Sequence, residues 1–145
     1  MQSYHFARIH LLHHQPLVST AAPCPSTPRS THHASPGSSL APCLASYASI
    51  LQQSRAHAKE IVAIGLGRSD EGTRIHSVQP LWTAGLVLGG SAEDDEVWVE
   101  TEGYRKSVVE QLRGIERDMG WASEYRVRSL LELWGLPPDW AGVEV

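Results

Sequence analysis

Apolar positions recur every three to four residues over most of this chain, and no stretch of any length alternates with a period of two. That pattern predicts an all-α fold, a small irregular array of about four to five helices. The first signal is "YHFARIHLLHH", where Phe6, Ile9, Leu11 and Leu12 give partial helical spacing and Pro16 ends the run. It predicts a short helix within residues 1–14. Residues 15–42 are rich in Pro, Ser, Thr and Ala and bury too little apolar surface to offset the entropy of ordering them, so they are expected to be a disordered linker.

Helical patterning returns over residues 43–145. Leu44, Tyr47, Leu51, Ala58, Ile61 and Val62 fall mostly on one face, and Gly65 and Gly67 are placed to close that helix. After a polar break, "GRSDEGTR", a second stripe is formed by Val78, Leu81, Trp82, Gly85 and Leu86. Ser77 is the expected N-cap, and Pro80 is acceptable because it falls in the first turn. Glycine in mid-helix costs about 0.5–1 kcal/mol against alanine, so Gly85 implies a second helix crossing closely at that point. The acidic stretch "SAEDDEVWVETEG" is read as a solvated loop, with an acidic activation-type segment as the less favoured reading. Tyr104, Val108, Leu112, Ile115 and Met119 mark the next helix, and Val127, Leu130, Leu131 and Trp134 the last.

Between those two helices lies "MGWASE". Gly120 suits the left-handed position past a helix end, and Trp121 would then fold back on the last turn in a Schellman arrangement. Ser123 is the expected cap of the last helix, which Gly135, Pro137 and Pro138 stop. On this reading Trp82, Gly120, Trp121 and Trp134 are structural anchors, with the tryptophans packed in the core.

Composition narrows the function classes. The chain has 145 residues, room for one domain, and a formal net charge of -4, so no global basic field attracts nucleic acid. Charge is divided unevenly. All 16 acidic residues lie at or after Glu60, while the part before it carries Arg8, Arg29, Arg55, Lys59 and seven of the 8 histidines. Arg113, Arg117, Arg126 and Arg128 are interleaved with acids, which makes a mixed-charge surface rather than a phosphate stripe. Cys24 and Cys43 are too few and too far apart for a disulfide framework or a zinc site, and a reducing intracellular location fits them.

Constellations for catalysis are weak. His10 and His14 stand one helical turn apart beside His13, yet the sequence supplies no third or fourth metal ligand nearby. "GLG" at Gly65–Gly67 lacks the third glycine and the preceding strand of a dinucleotide loop. The run from Glu93 to Glu96 lacks the spaced oxygens of a calcium loop. Neither Ser77 beside His76 nor Cys43 sits in a nucleophile setting. No catalytic, cofactor or metal residue is assigned, and the chain is expected not to be an enzyme.

Three stretches carry a resemblance. "YHFARIHLLHHQP", "AKEIVAIGLG" with "IHSVQPLWTAGLVLG", and "VVEQLRGIERDMGWASEYRVRSLLELWG" resemble the C-terminal part of the fungal-specific transcription factor domain. That domain is the helical regulatory region accompanying a zinc binuclear-cluster DNA-binding domain. The more specific motifs, the "QPLW-AG" helix and the "GW" corner with its closing helix, span roughly residues 58–135. The zinc cluster needs six closely spaced cysteines, which this chain lacks. The resemblance implies a fragment of a regulatory domain acting in the nucleus through protein partners, the transcriptional machinery or a full-length paralogue. Without that cluster, and with a mixed-charge surface, this chain is expected not to bind nucleic acid directly; no apolar run approaches ~18 residues, so no membrane association is expected, and a small-molecule effector is left open. The other reading is a stand-alone helical interaction module, in the cytoplasm, or a truncated remnant without function.

Overall fold

The computed structural model describes residues 1–15, 40–67, 71–89 and 95–140. The described part is all-α: six helices and, among the described residues, no strand. They are α1 (Gln2–His13), α2 (Leu40–Leu66), α3 (Glu71–His76), α4 (Val78–Leu88), α5 (Asp95–Met119) and α6 (Glu124–Leu133). Most of the expected linker, residues 16–39, lies outside the described residues. Its last three positions, expected to be linker, form the first turn of α2, where Pro42 needs no intrahelical donor.

The hub is α4, which packs against α1, α2, α3, α5 and α6. Val78, Leu81, Ala84 and Leu88 are buried there, and so are Pro80, Thr83 and Gly85. An eleven-residue helix covered on so many sides must be apolar around most of its circumference, and this one is. The expected stripe is rotated accordingly: Leu86, read as core, is 42% exposed, and Leu88 takes its place. Around this hub stand Ala58, Ile61 and Val62 of α2, Val108, Val109, Leu112 and Ile115 of α5, and Val127, Leu130 and Leu131 of α6.

The close approach implied by Gly85 is present. A Cβ built there would lie 2.6 Å from Cδ1 of Leu130, so α6 rests directly on the backbone of α4. Trp134 extends this contact, donating its indole N–H to the Gly85 carbonyl at 3.3 Å.

The N-terminal helix is part of the fold rather than an appendage. Ile9 and Leu12 are buried, and Gln2 is buried with both ends of its amide engaged. Its Nε2 donates to the Ile61 carbonyl at 2.9 Å, and its Oε1 accepts from the Ser77 hydroxyl at 2.6 Å. Ser77 does occupy the N-cap of α4, but its side chain makes no capping bond and ties α1 to α4 instead. Gly65 makes room for this polar knot, since a Cβ there would collide with the Gln111 side-chain oxygen. Periodicity could not flag Gln2, whose value lies in reaching a carbonyl 59 residues away.

Only the second half of α2 belongs to the core. Leu44 and Tyr47, expected on its buried face, are 62% and 53% exposed. A helix of 27 residues is about 40 Å long and overshoots its shorter neighbours. The acidic stretch also differs from expectation. From Asp95 onward it is helix, with Trp98, Thr101, Arg105 and Val108 on successive turns of one face. Acids at a helix start are favoured by the macrodipole, so the part from Asp95 opens α5 rather than forming a loop, while the first four positions of the stretch, 91–94, lie outside the described residues. Part of the polar break is likewise helical, as α3, and its Arg74 pairs with Asp118 at 2.9 Å.

Candidate interaction surface

The α5–α6 corner is built by two different helix endings. Gly120 has φ +68°, as its position required. Its N–H returns to the Glu116 carbonyl at 2.8 Å, the single-bond left-handed ending, not a Schellman motif. Trp121 therefore is not folded back. It is 53% exposed and is no core anchor, which corrects the sequence reading. The Schellman motif is at the other end of α6. Gly135, φ +67°, donates to the Glu132 carbonyl at 3.1 Å, and Leu136 donates to the Leu131 carbonyl at 2.9 Å. There the chain does turn back, and Leu136 and Trp140 pack on the core with Trp134. Trp134 and Trp140 meet edge to face at 6.0 Å.

The N-terminus of α6 is capped from the preceding helix. Ser123 holds the N-cap position, but its hydroxyl donates to the Leu112 carbonyl at 2.7 Å. The Glu116 carboxylate accepts the backbone N–H of Ser123 at 2.7 Å and that of Glu124 as well. Arg113 completes the joint, holding Glu124 at 3.2 Å and the Pro138 carbonyl at 2.9 Å. Backbone donation from Ser123 and Glu124 holds the Glu116 carboxyl below its ordinary range. Across the molecule, His57 is held below the ordinary histidine value by burial first, then by the fields of His5 and Arg8, against Glu60. Its Nδ1 faces that of His5 at 3.1 Å, a pair with room for one shared proton.

These two groups give acid destabilisation in two steps. The unfolded chain protonates His57 more readily than the folded chain, so stability declines as pH falls through about 6.5. The stabilising contribution of Glu116 is complete above about 4.3 and is lost as pH falls through its lower folded value. Asp118, Glu100 and Glu102, also held low by cationic partners, act with the same sign in the second step. Urea unfolding followed by circular dichroism from pH 8 to 3 should show both declines. His57→Gln should remove the first, and Glu116→Gln should shrink the second. A stability flat between pH 8 and 5.5 in the native chain would contradict the histidine assignment.

Freed from a core role, the corner presents an outward face. Arg126 lies 5.6 Å from the Trp82 ring centre and 5.3 Å from that of Tyr125, a guanidinium between two aromatic rings. Trp82 is half-buried against the core, whereas Tyr125 and Leu133 are 62% and 57% exposed. Trp, Tyr and Arg are the residue types enriched in binding hot spots, and here a half-buried Trp82 and Arg126 lie beside the exposed Tyr125. Of the four anchors read from sequence, Gly120 takes the left-handed conformation, Trp134 is buried, Trp82 straddles core and surface, and Trp121 is exposed at the corner. Arg105 went unrecognised. It is fully buried on α5, with its guanidinium 3.3 Å above the Trp98 ring centre and donating to the Trp98 carbonyl at 2.7 Å. An arginine inside a mixed-charge run carries no sequence mark that separates a buried role from a solvated one.

His10 and His14 stack at 6.4 Å, His13 bonds to the Ser54 hydroxyl at 3.2 Å, and Cys43 is exposed. Among the described residues, no three His, Cys, Asp or Glu side chains converge on a metal position. No described helix is long and apolar enough to cross a membrane.

No protein-family profile matches the chain, nor does any solved structure. Among curated proteins it is similar to the transcription activator AMTR1 of Alternaria alternata, with 33% identity over 134 residues. The match takes in 92% of this chain and 14% of that protein, so the chain spans about one seventh of its relative's length. The chain is thus related to a region of a fungal transcription activator.

Proposed function

We propose that the chain is part of a fungal-specific transcription factor domain and acts in transcription regulation, in the nucleus, by binding other proteins. It is not an enzyme, and it contacts no DNA itself. The observation that carries this reading is the similarity to a transcription activator over 92% of the chain. The all-α fold and the exposed side chains of Trp121 and Tyr125 near the α5–α6 corner are compatible with it, since recognition through such side chains needs no reaction centre.

The test is to tether the chain to an unrelated DNA-binding domain in fungal cells and to read a reporter gene. Expression should change at least several-fold relative to the bare DNA-binding domain. The double substitution Trp121→Ala, Tyr125→Ala should remove most of that change while leaving thermal melting within a degree or two. Both side chains are more than half exposed, so they contribute little to folding. A tethered chain with no effect on the reporter would refute the regulatory role. A double variant as active as the native chain would refute the surface.

A further inference from the structure

A cleft of about 630 Å³ opens between α1, α2 and α4, far in sequence from the α5–α6 corner. We infer that it is a binding site for a small organic anion, a monocarboxylate with a flat apolar body. This inference is independent of the regulatory reading above.

Its lining has two characters. Leu51 of α2 and Leu86 and Val87 of α4 give it apolar walls, and Tyr47 adds an aromatic ring. Arg55 and the histidines of α1 supply the polar groups, and no Asp or Glu lines it. The uneven division of charge along the chain thereby acquires a place. The acid-free segments before Glu60 form two of the three walls, in a protein whose net charge is -4.

Arg55 is the arginine that lines this cleft. Its Nε is buried without a hydrogen-bond partner. Its guanidinium makes no hydrogen bond or ion pair among the described residues. Glu100 senses its field only through space, and the carboxylate of Glu100 is held by Lys59. A guanidinium bonds a carboxylate with two parallel N–H···O contacts, stronger than neutral hydrogen bonds. One such cation in a half-open, mostly apolar cleft selects one anionic group on an apolar body. The volume falls in the range of small-molecule sites, about 300–1,000 Å³. A single arginine inside a cleft does not suit a polyphosphate backbone, which needs an extended row of cations. The wall is also fixed: His13 is tied to Ser54, and Ile9 is buried against the core.

Nuclear magnetic resonance titration of the full 145-residue chain tests this, with 1-naphthoate as probe and 1-naphthamide as its uncharged counterpart. Naphthoate should saturate, with amide shifts concentrated in residues 47–55 and 83–87, and should bind at least about tenfold more tightly than the amide. That factor corresponds to 1.4 kcal/mol, the low end for a charge-assisted hydrogen bond. Arg55→Met should erase the preference. Leu86→Asp, at a position 42% exposed and so tolerant of a polar group, should weaken naphthoate similarly while the fold is retained. If Arg55→Met fails to fold, Leu86→Asp still decides. Absence of saturable shifts, equal binding of acid and amide, or naphthoate binding unchanged in the variants would overturn the inference.

Discussion

Trp134→Ala should destabilise the chain by about 3–5 kcal/mol, whereas Trp121→Ala should change stability by no more than about 0.5 kcal/mol. The two indoles flank the same short helix, and their sequence surroundings look alike: each adjoins a glycine at positive φ. Their exposures separate them, 5% for Trp134 against 53% for Trp121. Trp134 fills the space between α4 and the C-terminal turn. Its N–H holds the Gly85 carbonyl, its ring edge meets Trp140, and Arg105 stands 5.8 Å from its centre. Removing it leaves a cavity walled on one side by the α4 backbone at Gly85 and Gly89, which limits collapse and keeps the cost within that range. A domain of this kind has about 5–15 kcal/mol in all, so the variant would lie near the threshold of unfolding at 37 °C. Urea denaturation of both variants, followed at 222 nm, separates the outcomes. Equal losses would contradict the placement of the two rings.

The reason one tryptophan was legible and the other was not is geometric. Periodicity located Trp134 because it continues the stripe Val127, Leu130, Leu131, and burial follows from helical phase alone. Trp121 lies outside any helix, and its fate depends on which capping bonds form at Gly120. Sequence fixes that a glycine must take the left-handed conformation, but one or two backbone hydrogen bonds decide whether the following side chain returns to the helix. The same limit applies to Ser77 and Ser123. Both were correctly placed at helix starts, yet both hydroxyls are drawn to partners on other helices, and Glu116 does the capping of α6. Local rules name the position; tertiary geometry names the partner. The cleft was least legible of all. Its histidines and Arg55 are visible as a basic, acid-free segment, but their convergence with Leu86 depends on how α1 and α4 lie against α2.

Gly85 and Leu130 offer the most discriminating test of the packing itself. Leu130→Ala alone should cost about 2–5 kcal/mol, because the side chain is fully buried between α4 and α6. Gly85→Ala poses a contest of opposite signs. Helix propensity favours alanine by about 0.5–1 kcal/mol, while an added methyl 2.6 Å from Cδ1 of Leu130 must force that side chain or the whole of α6 outward. Overpacking of this kind costs about 1–3 kcal/mol, and Leu130 has no solvent to move into, so the clash should win and Gly85→Ala should destabilise. In the Leu130→Ala background the clash is gone and the methyl enters vacated space. There the same substitution should stabilise, reversing its sign. The double-mutant cycle should therefore show a favourable coupling of about 1–3 kcal/mol between the two sites. Additive effects would mean that α6 does not rest on the backbone of α4, and the account of why this helix carries a glycine at its centre would fail with them.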